Sequence, residues 1–95
     1  MKVRVRTILG LTQVLGKKEI DFDLPEGSTV RDLLTRMVER WGNELSPHLF
    51  EPQSDHLLPY LRIMVNGQTI QFLNGMETVL KDGDELLLIP LAAGG

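Results

Sequence analysis

The fold is decided by residues 81–90, which have the sequence KDGDELLLIP. The first four residues, 81–84, predict a tight turn because Gly and Asp adopt turn conformations readily. The next six, Glu85 to Pro90, predict a strand whose centre is apolar on both faces. Strands that are apolar on both faces are typical of the interior of a sheet. We therefore expect this strand to be the central one, with the other strands on either side of it.

Two further strands are predicted near the amino terminus. Residues 2–6 alternate basic and apolar side chains, and residues 19–24 alternate acidic and apolar ones. This period of two predicts an antiparallel hairpin with one face exposed, joined by a long loop over residues 10–18. Arg4 and Arg6 should then pair with the acidic row across the outer face, which would set the strand register more than the stability.

A helix is predicted to begin after Thr29. Thr29 and Asp32 have the spacing of a capping box, and Gly42 supplies the stop. Between them, apolar residues spaced three and four apart form one stripe, as in an amphipathic helix. The stripe consists of Val30, Leu33, Leu34, Met37, Val38 and Trp41. We interpret Met37 and Trp41 as core residues and not as the lining of a cofactor pocket.

Residues 43–60 form a long connection containing three prolines, which is either a binding loop or an excursion of the chain. Strand character resumes at Leu61–Val65. Asn66-Gly67 then predicts a hairpin turn that leads into Thr69-Ile70.

Together these elements predict one α+β domain over residues 1–95, with a mixed β-sheet and one main helix packed on one face. The other face of the sheet should be open. Alternation places either Leu86 and Leu88 or Leu87 and Ile89 on that open face, and such an apolar patch usually marks a partner surface. The alternative is that the long connection folds over these side chains and buries them.

Composition excludes several classes of function. The net charge of −3 and the pI of about 5.3 argue against nucleic acid as a partner, and there is no cysteine to form a disulfide or a thiolate site. The sequence lacks an apolar run long enough for a membrane span and lacks a signal peptide, so we expect a cytoplasmic protein. One group of residues could in principle bind a metal, but its spacing matches no familiar pattern and we predict no metal site. That group is His48, Glu51, Asp55 and His56.

The sequence ends in Gly94-Gly95, after the short run Leu91-Ala92-Ala93. Taken alone, two glycines could be an ordinary frayed end. They could also thread into a narrow active site, because glycine lets another chain approach closely. The residues before them favour the second interpretation.

The segment from Asp82 to Gly95 resembles the tail of MoaD/ThiS-type ubiquitin-like sulfur carriers, most of all the small subunits of molybdopterin synthase. Thr29–Leu34 and Ile63–Gly67 are also similar to that family. The likeness implies a β-grasp fold with Leu86 and Leu88 in the core and Leu87 and Ile89 outward. One departure is that many such tails carry two successive prolines, whereas Leu91 follows Pro90 here.

The resemblance also implies a function. An adenylyltransferase related to ubiquitin-activating enzymes would consume ATP to adenylate the Gly95 carboxylate, which a sulfur donor then converts to a thiocarboxylate. Gly94 would pass through the enzyme's channel, and the chain itself would be a carrier without catalytic activity or bound cofactor. The sulfur acceptor would be the large subunit of molybdopterin synthase or an equivalent enzyme. The expected partner-binding residues are Arg4, Arg6, Ile8, Leu87, Ile89, Pro90, Leu91, Ala92 and Ala93.

Three alternative functions remain open, and two of them use the same tail. A protein modifier of the ubiquitin type would form an isopeptide bond through Gly95. A sulfur carrier for thiamine or another metabolite would use the same tail chemistry with another acceptor. A plain interaction module, the third possibility, would have an inert tail.

Overall fold

The computed structural model describes residues 1–8 and 10–90. These residues form five strands and two α-helices, with short 3₁₀ turns in the connections. In chain order they are β1 (Lys2–Thr7), α1 (Gly10–Leu15), β2 (Glu19–Asp23), α2 (Val30–Trp41), β3 (Leu61–Val65), β4 (Gln68–Thr69) and β5 (Glu85–Pro90). No helix within these ranges combines the length and the apolar character that a bilayer crossing requires.

The five strands form one mixed sheet in the order β2-β1-β5-β3-β4. β5 runs parallel to β1 and antiparallel to β3, so it is hydrogen-bonded along both edges. The prediction of a central, doubly apolar strand is confirmed, with the predicted bounds. The β1–β2 hairpin is also confirmed, with Arg4 opposite Asp21 and Arg6 opposite Glu19.

The connection between β1 and β2 differs from the prediction. Instead of a loop, residues 10–15 form the short helix α1, which buries Leu11 and Leu15 in the core. These two leucines are four residues apart and therefore lie on the same side of a helix. Gly16, at φ 78°, ends the helix in a conformation that glycine adopts without strain.

α2 begins with the predicted capping box. The Asp32 amide donates to the Thr29 hydroxyl at 3.2 Å, and the Thr29 amide donates to the Asp32 carboxylate at 2.9 Å. At the other end Gly42 has φ 60° and ψ −137°, which is not the αL conformation expected but another region open mainly to glycine. Met37 is fully buried, whereas Trp41 is half-buried and packs edge-on against Phe22 at a centroid distance of 6.2 Å.

The long connection packs against the core beside α2. Leu45 and Leu49 are completely buried there, and Phe50 and Leu57 pack at its margin. Residues 43–60 are therefore a packed excursion that enlarges the core. They do not bury the outward side chains of β5, which stay partly exposed.

Two turns hold the ends of β3 and β5 together. Asn66 and Gly67 both have positive φ, 50° and 85°, as the predicted hairpin turn requires. The Asp84 carboxylate accepts from the Asn66 side-chain amide at 2.9 Å and from the Lys81 backbone amide at 2.8 Å. The Asn66 side-chain oxygen accepts from the Glu85 amide at 3.0 Å. These hydrogen bonds fix the start of β5. Because the strand is extended, they also fix where its last residue, Pro90, lies.

Candidate functional site: the outer face of β5

The candidate site lies where β5 leads to the carboxyl-terminal residues. Leu86 and Leu88 point into the core with no exposed surface, while Leu87 and Ile89 alternate with them on the outer face and are half-buried. The facing implied by the family resemblance is thus confirmed. The two outward side chains are less exposed than the prediction of an open apolar face suggested.

Neighbouring strands extend this surface. Leu87 lies between Arg6 of β1 and Met64 of β3, and Ile89 lies beside Arg62 of β3. Ile8, 39% exposed, follows the last residue of β1 and has the same parity as Arg6. We call the side chains of Ile8, Met64, Leu87 and Ile89 the outer patch. Sequence reasoning missed Met64, although its alternation with Ile63 and Val65 already placed it on the outer face.

Carboxylates compensate the two arginines of β1. The Arg4 Nε lies 3.0 Å from the Asp21 carboxylate. Arg6 contacts two carboxylates, Glu19 and Glu85, each at 3.0 Å. A hydrogen bond and the charge of Asp21 raise the pKa of Arg4, and the hydrogen bond from Arg4 lowers the pKa of Asp21.

This pairing bears on the prediction that Arg4 and Arg6 contact an acidic partner. Both guanidinium groups are already hydrogen-bonded to carboxylates of the same chain. Exposed pairs of this kind contribute little to stability, because water screens them. They reduce the positive charge that either arginine can offer to another protein. Their role as partner-binding residues remains a prediction.

Arg62 is different from these two arginines. It is exposed on the outer face of β3, with Ile89 as its register neighbour. Among the ion pairs of the described residues none involves Arg62. Sequence reasoning did not single it out, because it named only Arg4 and Arg6 as cations beside the open apolar face. The signal was its position between the inward-facing Leu61 and Ile63.

Pro90 is the last described residue and lies opposite Leu61 of β3. The remaining residues predicted to act in the tail lie outside the described part of the chain. They are Leu91, Ala92, Ala93, Gly94 and Gly95. Their roles, including activation at Gly95, remain predictions.

The loop residues considered for metal binding are scattered. Nowhere in residues 1–8 and 10–90 do three or more histidines or carboxylates meet in a group suited to a metal ion. His56 and Asp55 approach each other at 3.9 Å, but both are largely exposed. Asp55 instead accepts from Arg31 at 3.3 Å, which ties the loop to α2. The contact with Arg31 therefore gives Asp55 a structural role that requires no bound metal ion.

Comparison with known proteins places these features in a family. The family model described as "ThiS family" matches residues 7–95. Small archaeal modifier protein 3 of Haloferax volcanii is 32% identical over 95 residues, covering all of both chains. Sulfur carrier protein CysO of Mycobacterium tuberculosis is 35% identical over 70 residues, covering 73% of this chain and 74% of the relative.

A solved structure shows the same fold. The crystal structure of the BexX/CysO complex of Amycolatopsis orientalis matches with a TM-score of 0.76 and 26% identity, covering 98% of this chain and 99% of the matched chain. The mixed sheet with one main helix is the ubiquitin-like β-grasp, as the family resemblance implied. The chain belongs to the ThiS family of ubiquitin-like sulfur carriers.

Proposed function

We propose that this chain is a cytoplasmic sulfur carrier whose Gly95 carboxylate is activated, loaded with sulfur and presented to an acceptor enzyme. The observation that carries the proposal is the outer patch: the central strand of the sheet exposes Leu87 and Ile89 directly before the residues that lead to Gly95. Family membership and the name of the CysO relative support it. A partner that covers the outer patch would hold the tail at its own active site, which raises the effective concentration of the terminal group there.

The chemistry starts from an unreactive group. At neutral pH the α-carboxyl group is ionised, because its ordinary pKa is about 3.3–3.7, and a carboxylate resists nucleophilic attack. In the proposed first step a carboxylate oxygen of Gly95 attacks the α-phosphorus of ATP and releases pyrophosphate, giving an acyl adenylate. A separate adenylyltransferase would catalyse this step.

Sulfur enters in the next steps. The terminal sulfur of a persulfide attacks the acyl carbon and expels AMP, which leaves an acyl disulfide. A second thiol then attacks the sulfur of the persulfide carrier, so that the S–S bond breaks, a new disulfide forms and the thiocarboxylate leaves with the electron pair. The chain supplies the tail and the docking surface, while the partners supply the catalytic groups. It is therefore proposed to be a carrier and not an enzyme.

For the acceptor we propose the large subunit of molybdopterin synthase, because the segment from Asp82 to Gly95 resembles the tails of its small subunits. An acceptor for thiamine synthesis or another metabolite would use the same tail. Reconstitution with each acceptor in turn separates these alternatives, since only the correct acceptor should consume the thiocarboxylate.

The test is the intact mass of the chain after incubation with the adenylyltransferase of the same organism, ATP, a persulfide donor and a thiol. Replacement of oxygen by sulfur adds about 16 Da. A chain lacking Gly95 serves as the matched control and should gain no mass. Absence of the mass gain in the wild-type chain, with an enzyme shown to be active on another carrier, would overturn the proposal.

One observation favours a second function, that of a protein modifier. One of the relatives aligned along their whole length is named as a small archaeal modifier protein, whereas another is named "Putative sulfur carrier protein". Modification would use the same acyl adenylate but end in an isopeptide bond to a lysine. Epitope-tagged chain in cell extract would then appear in ATP-dependent conjugates of higher mass, which the variant lacking Gly95 would not form.

A further inference from the structure

Arg62 is an arginine of the outer face for which the sheet provides no carboxylate. Its two neighbours along β3, Leu61 and Ile63, are buried, so alternation places Arg62 on the outer side. The other two arginines on that side, Arg4 and Arg6, contact carboxylates at 3.0 Å.

The register of the sheet explains the difference. On one side of Arg62 lies Ile89 of β5, which is apolar. On the other side β4 is too short, because its pairing with β3 covers only Met64 and Val65. No strand residue therefore lies opposite Arg62 on that side, and its guanidinium stays exposed at the margin of the outer patch.

We propose that Arg62 binds a carboxylate on the adenylyltransferase that activates Gly95, and that this contact sets the affinity of the chain for that enzyme. The inference rests on the proposed function. Ile89 is the last outward residue before Pro90, so a protein that holds the tail must also cover the surface beside Ile89. Covering a guanidinium without an anion is costly, and a bidentate carboxylate satisfies its planar donors best.

The chemistry of the tail favours the activating enzyme as the partner. Sulfur transfer and protein modification both pass through the acyl adenylate, so both functions need that enzyme whichever acceptor follows. The positive charge of Arg62 would also keep enzymes with a basic surface from engaging the tail, because like charges opposite each other weaken association.

The experiment measures ATP–pyrophosphate exchange by the purified adenylyltransferase of the same organism, with the full chain as the varied substrate. Arg62→Glu and Arg62→Gln are compared with wild type and with Arg36→Glu. Arg36 is also an exposed arginine, on α2, and its contact with the Glu39 carboxylate is long, at 3.9 Å. The control therefore makes the same charge change on the helical side of the molecule.

We expect Arg62→Glu to raise KM for the chain by about tenfold or more, Arg62→Gln by less, and kcat to stay nearly constant, because the residue acts in binding and not on the reacting atoms. Raising the salt concentration from about 50 to about 300 mM should weaken the wild-type interaction more than that of Arg62→Gln. Thermal melting of each variant should match wild type, since Arg62 is exposed.

Two failures remain distinguishable. If the wild-type chain supports exchange but Arg62→Glu changes KM by less than about twofold, or if Arg36→Glu raises KM equally, the inference is wrong while the proposed function stands. If the wild-type chain supports no exchange with an active enzyme, activation at Gly95 is wrong and the proposed function falls with it.

Discussion

Replacing Leu88 and Ile89 in turn by alanine should give very different losses of stability. Leu88 is fully buried, between Thr7 of β1 and Ile63 of β3. Truncating a buried leucine to alanine costs about 2–5 kcal/mol, and we expect about 3 here because neighbouring strands on both edges limit collapse into the cavity. Ile89 is half-exposed and leaves no closed cavity, so its replacement should cost about 1 kcal/mol, largely through weaker strand propensity.

Urea denaturation followed by far-ultraviolet circular dichroism measures both losses. A chain of this length should have a urea m-value of about 1.3 kcal/mol/M, so Leu88→Ala should lower the midpoint by about 2 M and Ile89→Ala by less than about 1 M. The total stability of such a domain, about 5–15 kcal/mol, leaves both variants folded at low urea. Equal losses for the two variants would contradict the assigned facing of β5.

The same pair of positions should separate in function. Ile89→Asp, or Leu87→Asp, should weaken binding of the activating enzyme while the domain stays folded, because both side chains lie on the outer face. Leu88→Asp should unfold the domain, since it buries an unpaired charge. If Ile89→Asp unfolds the chain and Leu88→Asp does not, the strand faces the opposite way.

Two further predictions concern the tail and the outer ion pairs. Deleting Gly95, or replacing Gly94 by the β-branched Val, should abolish adenylation and leave the melting temperature unchanged, because the described core residues all precede Pro90; a Gly94→Val chain that gains sulfur at the wild-type rate would refute the threading argument. The pKa of Asp21 is lowered in the folded state by Arg4, so the small stability that their contact contributes is present above the ordinary Asp value of about 3.9 and is lost as the pH falls through the lowered pKa. Acid unfolding curves should therefore be shallower for Asp21→Asn than for wild type, and identical curves would show that the contact contributes nothing.

Much of the fold could be predicted because local signals agreed with the tertiary structure. The Thr29 and Asp32 capping box fixed the start of α2, and the apolar run from Leu86 to Ile89 placed β5 at the centre. These signals involve residues close together in the chain, which is where sequence patterns are most informative.

The errors occurred where packing at long range decides the outcome. α1 is only six residues long and offers just Leu11 and Leu15 as an apolar pair, too little to distinguish a helix from a loop. Leu45 and Leu49 also show the four-residue spacing, but Pro47 between them suggested an irregular connection, and their burial is evident only from the structure.

The candidate site could be predicted only in part for the same reason. The outward facing of Leu87 and Ile89 followed from the family resemblance. The ion pairs of Arg4 and Arg6 with the acidic row of β2 were also predicted, but the second carboxylate of Arg6, Glu85, was not, because it arrives through a parallel pairing between distant segments of the chain. The position of Arg62, beside Ile89 and beyond the end of β4, depends in the same way on the register of the sheet.

The position of β5 between two hydrogen-bonded neighbours also determines how the domain carries mechanical load. A partner that draws the carboxyl-terminal residues into its active site pulls along the axis of β5, parallel to the strands. The ladders to β1 and β3 would then be loaded in shear, so that their hydrogen bonds share the force instead of breaking one after another. An edge strand such as β4, with two paired residues, would peel away under a much smaller pull. A pull of this kind on the terminal segment would therefore leave the rest of the domain folded.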